Sequence, residues 1–125
     1  MDIIGRDDIY KLVKLFYEKL MRDDEMKHFF EEFTEPINLE KHLIVLVNFW
    51  DNILFYTGSY KKNAMKPHLD LQAHKPFKKR HFEVWLSHFN ASVDELFIGE
   101  MAHTAKTRAL SIATVMQIKI SEMNK

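Results

Sequence analysis

Helix-breaking residues are scarce along this chain, which has only three Gly and three Pro among its 125 residues. Its apolar residues recur at intervals of three and four positions, the spacing of one helix face, rather than at every second position as in a strand. The pattern therefore predicts an all-α fold. The sequence contains no internal repeat, low-complexity segment or linker, so we expect one domain over residues 1–125 in which the helices share a core.

The first half of the chain predicts two helices with a short helical segment between them. The first helix is expected to start at Asp7 or Asp8 as its N-cap. A short segment over residues 24–33 precedes a helix that Asn38 can cap and that runs to about residue 56. The predicted inner faces are Ile9, Leu12, Val13, Phe16 and Leu20 in the first helix, and Leu39, Leu43, Leu46, Phe49, Trp50 and Ile53 in the other.

A long loop separates these helices from the second half. Residues 59–75 are polar and contain Pro67, and a loop of this length in a small domain usually has a function. Pro76 suits the first turn of the next helix. The inner positions of that helix are expected to be Phe77, Val84, Trp85 and Phe89. Ser92-Val93-Asp94-Glu95 matches a capping box, which predicts the start of the last helix, and Gly99 would bend that helix early.

Charge and cysteine content exclude several classes of function. Eighteen basic residues balance eighteen acidic ones, which leaves no electrostatic footprint for nucleic acid or an anionic membrane. The chain has no Cys, which excludes disulfides, thiolate metal sites and iron–sulfur clusters. The N-terminal segment is acidic where a signal peptide is basic, and no stretch reaches the about 18 to 20 apolar residues of a membrane span. We therefore expect a cytoplasmic protein without a nucleic-acid or membrane partner.

Seven His residues direct attention to imidazole chemistry. His68 lies in the long loop directly after Pro67, where a short rigid turn could aim it inward, and His42 lies one residue before the apolar face of its helix. The residue pattern leaves both open between a site role and an ordinary solvated side chain. We expect His28, His74, His81 and His103 to be exposed or to cap helices, and His88 to be partly buried. Tyr17 and Trp85 occupy inner helical positions, where such residues commonly pack while their polar group finds a partner.

Two alternative hypotheses, a di-iron carboxylate bundle and an interaction module, are also compatible with a helical fold. Glu25-x-x-His28 and Glu100-x-x-His103 match the Glu-x-x-His unit of di-iron carboxylate bundles, which also require two inward Glu residues on other helices. The long helices show no acid within their apolar faces. A helical interaction module without a cofactor is the other alternative. Nothing in the sequence matches a Gly-rich phosphate loop, a nucleophile elbow or a zinc-protease helix.

Several blocks of this sequence, in register over nearly the whole chain, resemble the group III truncated haemoglobins of bacteria. The most specific is His68 followed by His81-Phe82-Glu83-Val84-Trp85-Leu86, which resembles the family's strongest signature. The other blocks are Phe16-Tyr17, Phe29-Phe30, His42, Asn48-Phe49-Trp50 and Met65-Lys66-Pro67-His68.

The resemblance implies a shortened globin fold, a two-over-two helical sandwich around haem b (iron protoporphyrin IX). It implies that His68 is the proximal ligand of the iron, with His74 as the nearest competitor for that role. Phe30 would wedge against the haem face. Three further residues would line the distal side, namely Tyr17 as the first-helix tyrosine, Trp85 as an indole donor and His42 as the distal histidine. Leu46, one turn beyond His42, would narrow the same pocket.

The resemblance also implies a function at the iron. Bound oxygen carries partial negative charge, which hydroxyl and indole donors stabilise, so a polar distal pocket retains oxygen. We therefore expect binding of O2, NO and CO, with nitric oxide or peroxide chemistry rather than bulk oxygen transport. An enzymatic role as a nitric oxide dioxygenase or a peroxidase would need an unidentified reductase. The protein is expected to be a monomer.

Overall fold

The computed structural model describes residues 1–55 and 78–123, apart from the side chains of residues 32–34, 120 and 123. These residues form four α-helices: α1 (Arg6–Arg22), α2 (Pro36–Phe55), α3 (Lys79–Leu96) and α4 (Glu100–Met123). A 3-10 helix, Lys27–Thr34, lies between α1 and α2. No strand occurs within these described ranges. The prediction of an all-α fold is confirmed.

The four helices are arranged as two contacting pairs. Helix α1 packs along α2, helix α3 packs along α4, and contacts between α1 and α3 join the two pairs. The 3-10 helix touches both α1 and α2. Ile9, Leu12, Val13 and Leu20 of α1 are completely buried, as their spacing predicts. Burying an aliphatic side chain of this size stabilises a fold by about 1.5–3 kcal/mol, so this face of α1 anchors the whole arrangement.

Helix α4 presents a row of small residues to the core. Ala102, Ala105, Ala109 and Ala113 recur every three or four positions, and all are at most 3% exposed. Such small side chains allow the backbones of packed helices to approach closely. Although α4 has 24 residues, neither it nor any other helix in the described part of the chain is long and apolar enough to cross a membrane.

The helices in the first half start slightly earlier than their sequences predict. Helix α1 begins after Gly5, so Asp8 lies in its first turn, where the Asp8 carboxylate accepts a hydrogen bond from the Ile4 amide at 2.9 Å. Helix α2 begins at Pro36 rather than after Asn38. Proline suits this position because the first amides of a helix have no partner within it. Neither Asp7, Asp8 nor Asn38 is therefore the N-cap.

The predicted capping box at residues 92–95 is wrong. Ser92 is fully buried inside α3, and its hydroxyl donates a hydrogen bond to the carbonyl of His88 at 2.8 Å. A serine inside a helix can satisfy its hydroxyl in this way, one turn back, without opening a new helix. Gly99 ends the connection to α4 with a φ of 141°, so it lies before α4 rather than bending it.

The N-terminus of the chain caps α4. The Asp2 carboxylate accepts hydrogen bonds from the amides of Met101 and Ala102, each at 2.8 Å. A Cβ atom on Gly99 would lie 2.6 Å from the Asp2 carboxyl carbon, so only glycine leaves room for this cap. Burial alone would raise the pKa of Asp2, but amide hydrogen bonds from Met101, Ile3 and Ala102 outweigh it and lower that pKa.

Candidate functional site

Tyr17 and His42 form a hydrogen-bonded pair between α1 and α2. The distance from the Tyr17 hydroxyl to Nε2 of His42 is 2.7 Å. Tyr17 is 5% exposed, whereas His42 is partly buried, and their ring centroids are 5.1 Å apart. The pair exists because α1 packs along α2 with both side chains at the contact. It places polar groups beside the aromatic rings of Phe16 and Phe30, which both contact the Tyr17 ring.

Phe30 also packs against Tyr17. Its backbone interrupts the 3-10 helix with non-helical angles, φ −119° and ψ 20°. Phe30 is buried, and its ring contacts the Tyr17 ring edge-on at a centroid distance of 5.3 Å. The kink thus directs an aromatic ring into the corner between α1 and α2.

Trp85 reaches the same region from α3 through Phe16. The Phe16 ring contacts Trp85 at 5.4 Å and Tyr17 at 5.6 Å, both edge-on. Phe89, one turn further along α3, stacks on Trp85 at 6.0 Å. Phe16 therefore links the two polar aromatic residues that the resemblance assigns to one pocket. Phe16 itself was predicted only as a core residue.

One face of α2 continues from His42 as an apolar wall. Leu46, Phe49 and Ile53 follow His42 at helical spacing. Each packs against the main core cluster while remaining partly exposed. Leu86 and Trp85 on α3 are also partly buried in contact with this cluster. An apolar wall of this kind with one polar pair fits a flat apolar macrocycle that carries a polar ligand.

The structure thus brings together three of the predicted site residues directly: Tyr17, His42 and Phe30. Trp85 is connected through Phe16, and Leu46 shares the α2 face of His42. The predicted iron ligand His68 and its competitor His74 lie outside the described residues, so their assignment stays a prediction.

The histidines that were expected to be exposed, to cap helices or to be partly buried match these predictions where the structure describes them. His28 and His103 are exposed, and His88 is partly buried. His81 caps α3, since its Nδ1 accepts a hydrogen bond from the Lys78 amide at 2.8 Å. The pKa of His81 is lowered, first by burial and then by the neighbouring His28 and Lys78, against an opposing contribution from Glu25.

The two Glu-x-x-His motifs do not form a shared metal site in the described part of the chain. Glu25 binds Arg80 through both carboxylate oxygens, at 3.0 and 3.1 Å, while Glu100 and His103 are exposed at the start of α4. Among residues 1–55 and 78–123, no group of three or more His, Asp or Glu side chains could hold a metal ion.

A second histidine pair was not foreseen from the sequence. Nε2 of His88 on α3 lies 2.7 Å from Oδ2 of Asp23, the residue that ends α1. The hydrogen bond from His88 lowers the pKa of Asp23, burial opposes this effect, and the Glu25 amide adds to the lowering. The partners are 65 positions apart in sequence, so no local pattern could have indicated the contact.

Comparison with known proteins identifies the family. A family model of bacterial-like globins matches residues 1–120. The group 3 truncated hemoglobin ctb of Campylobacter jejuni is 32% identical over 118 residues, which cover 93% of this chain and 91% of that protein. A crystal structure of a group III truncated hemoglobin from Campylobacter jejuni superposes with a TM-score of 0.86 at 31% identity, covering 96% of this chain and 94% of that one. The chain therefore belongs to the bacterial-like globin family, as a haem-binding and gas-binding protein of the group III truncated haemoglobin type.

Proposed function

We propose that this protein holds haem b through His68 and binds O2, NO and CO in a polar pocket formed by Tyr17, His42 and Trp85. The observation that carries the proposal is the 2.7 Å hydrogen bond between Tyr17 and His42 at the edge of an apolar wall. A polar pair in such surroundings is suited to a small polar ligand. The haem would supply the iron that binds the diatomic gas, and the protein would supply its surroundings.

Each pocket residue has a distinct role in this proposal. His68 would hold the iron from the proximal side, because a neutral imidazole is a suitable axial ligand. Phe30, already packed edge-on against Tyr17, would contact the haem face and fix the position of the tyrosine ring. Leu46 would contact the haem from α2 and limit the space beside His42. These apolar contacts would also exclude water from the ligand.

The polar residues would retain the ligand. The Tyr17 hydroxyl and the Trp85 indole can each donate a hydrogen bond to a ligand that has acquired partial negative charge. Each charge-assisted donor contributes on the order of 1.5–3 kcal/mol, so two of them would slow oxygen escape by several powers of ten. Such slow release suits chemistry at the site better than bulk oxygen transport.

Nitric oxide dioxygenation and peroxide reduction are the reactions that such a pocket favours. The same donors that retain oxygen would polarise its O–O bond, and the edge-on ring contacts of Phe16 hold both donor-bearing rings in place. Either reaction needs electrons, which an unidentified reductase would supply.

Absorbance spectroscopy tests the proposal. The purified protein, reconstituted with haem if necessary, should show a Soret band that shifts on reduction and on addition of O2 or CO. A pyridine haemochrome spectrum should identify haem b. Consumption of nitric oxide by the oxygenated protein, with and without added reductant, would separate binding from turnover. A colourless protein that takes up no haem would contradict the proposal.

A further inference from the structure

Phe89 stacks against both tryptophans of the chain. Its ring lies nearly parallel to that of Trp50, at a centroid distance of 5.0 Å and an interplanar angle of 19°, and to that of Trp85, at 6.0 Å and 12°. Phe16 contacts Phe89 and Trp85 edge-on, at 5.3 and 5.4 Å. Because Phe16 is on α1, Trp50 is on α2 and the other two residues are on α3, the four residues form an aromatic cluster where three helices meet.

The other three rings of the aromatic cluster are more deeply buried than Trp85. Phe89 is fully buried, Phe16 and Trp50 are each 4% exposed, and Trp85 is only partly buried. Close-packed rings of this kind cannot change their tilt unless a neighbour moves or a cavity opens. The Trp85 ring is parallel to Phe89 and nearly perpendicular to Phe16, and aromatic pairs prefer both arrangements. The buried rings therefore fix the plane of the Trp85 indole.

We infer that Trp50 is a positioning residue, which sets the orientation of the Trp85 indole through Phe89. The Trp50 ring supports the Phe89 ring, and the Phe89 ring supports the indole. Loss of the Trp50 ring would leave a space into which Phe89 can move, and the indole would then tilt. The inference rests on the proposed function, in which Trp85 donates a hydrogen bond to the ligand.

The expected consequence is faster oxygen release when the ring of Trp50 is removed. A hydrogen bond weakens as its donor N–H turns away from the acceptor, so a tilted indole would retain oxygen less well. A weakened hydrogen bond changes a rate by about three- to ten-fold. Oxygen dissociation in Trp50→Leu should therefore speed up by about this factor. Trp50→Phe keeps an aromatic ring against Phe89 and should stay closer to the wild type.

Ultraviolet resonance Raman spectroscopy reports the orientation of the indole without measuring any ligand. The chain has two tryptophans, so Trp85 is the sole tryptophan in Trp50→Leu and in Trp50→Phe. The indole band that depends on the torsion about the Cβ–Cγ bond should differ in frequency or width between these two variants.

A matched control and a substitute variant are made in the Trp50→Phe background. Phe97→Leu is the control, because Phe97 is also buried, at 7% exposure, but lies outside the aromatic cluster. It should leave the indole band unchanged. Phe89→Leu should shift the band, because it removes the ring on which the indole stacks, and it replaces Trp50→Leu if that variant folds poorly.

Oxygen dissociation measured by stopped flow separates positioning from a general loss of packing. Trp50→Leu should speed up oxygen release when Trp85 is present and should have no further effect in Trp85→Phe, because the donor that Trp50 positions is then gone. An acceleration that persists in Trp85→Phe overturns the inference. So does an indole band that is the same in Trp50→Leu and Trp50→Phe, or one that Phe97→Leu shifts equally.

Failure of the proposed function gives a different result. A protein that takes up no haem, or whose oxygen release is unchanged in Trp85→Phe, refutes the donor role proposed for Trp85. The indole band still shows in that case whether Trp50 sets the orientation of the ring.

Discussion

Two hydrogen bonds that histidines make in the described part of the chain have the same length but partners of different chemistry. His42 lies 2.7 Å from the Tyr17 hydroxyl, and His88 lies 2.7 Å from the Asp23 carboxylate. A carboxylate can only accept, so the hydrogen bond from His88 has one direction as long as Asp23 is ionised. A hydroxyl can donate or accept, so the direction of the hydrogen bond between Tyr17 and His42 depends on whether Nε2 of His42 carries a proton. The partner of a histidine, rather than the distance between them, thus decides whether the direction of the hydrogen bond is fixed or variable.

The positions of the two pairs match this difference. Asp23 ends α1 and His88 is on α3, so their hydrogen bond joins the two helix pairs of the fold. Tyr17 and His42 join α1 to α2 beside the partly exposed residues Leu46 and Phe49. The pair with a fixed direction is therefore in the framework, and the pair with a variable direction is next to the candidate pocket.

Replacing His68 should have the largest effect, because we propose that His68 holds the iron. The contrast between His42 and His88 requires that neither of these two residues is the iron ligand. His68→Gly should remove the native ferrous spectrum, and free imidazole should restore it by filling the vacated position. His42→Gly and His88→Gly serve as matched controls that should keep the spectrum. An unchanged spectrum in His68→Gly would move the ligand to His74 or another residue.

The sequence predicts the buried face of α1 well, for a reason that the structure makes clear. Ile9, Leu12 and Val13 are buried because helical spacing fixes which side chains share a face. Tyr17 and Phe30 contact each other edge-on, while the pocket roles that the family resemblance gives them stay predictions. Periodicity alone left Tyr17 as an ordinary core residue, so the family signature was needed to assign it to a site.

Contacts between distant residues could not be predicted in the same way. The true cap of α4 is Asp2, which is 99 and 100 positions away from the amides that it binds. The local motif at Ser92 looked like a cap, but the residue is buried within α3, where packing against the core overrides a motif of four residues. The pair of Asp23 and His88 was hidden for the same reason, because each residue alone is unremarkable in sequence.

Removing the hydrogen-bond donors should have the next largest effect and sharpens the role given to Tyr17. Tyr17→Phe and Trp85→Phe each delete a donor while retaining an aromatic ring. Oxygen dissociation measured by stopped flow at about pH 6 should accelerate by roughly ten-fold or more for each, about 1.4 kcal/mol per factor of ten. The double variant should deviate from additivity, because both donors would share one ligand and Phe16 contacts both rings.

Carbon monoxide provides the control for these variants, since it is a much poorer hydrogen-bond acceptor than oxygen. Its dissociation should change little if the pocket keeps its shape. Tyr17 could also hold Trp85 in place through Phe16, in which case Tyr17→Phe would slow oxygen escape by rearranging the donors. If oxygen dissociation in both single variants and in the double variant equals that of the wild type, neither residue donates to the ligand and both serve only core packing.

Truncating His42 should have a smaller effect, on ligand access. His42 is only partly buried, and in the proposed pocket its side chain would lie between the ligand and solvent. His42→Ala should change the rate of CO association measured by flash photolysis, because it removes bulk from that path. His88→Ala offers a matched truncation of a histidine with similar burial and a 2.7 Å hydrogen bond, and it should leave CO association unchanged. An unaltered rate in His42→Ala would make His42 a surface residue without a role in access.

The smallest effect is expected at the framework pair, and it appears in stability rather than in ligand binding. Asp23→Asn keeps the shape of the side chain but removes its charge. Because the Asp23 and His88 side chains are only 22% and 25% exposed, the loss of this charge should lower the free energy of unfolding by about 1 kcal/mol at pH 6. The pKa of Asp23 in the folded protein lies below its ordinary value of 3.8, so the ionised form is the one that folding favours. The contribution is then complete above that ordinary value and disappears as the pH falls through the lowered pKa.

Urea unfolding followed by circular dichroism at several pH values between about 3 and 6 should show the stabilities of the wild type and Asp23→Asn converging in acid. Asp24→Asn is the matched control, since the neighbouring Asp24 side chain is 93% exposed and pairs with the exposed Lys27 at 3.1 Å, and it should change stability little. A loss in Asp23→Asn that persists undiminished at the lowest pH would show that the charge of Asp23 is not what stabilises the fold, and the contrast with Tyr17 and His42 would have to be abandoned.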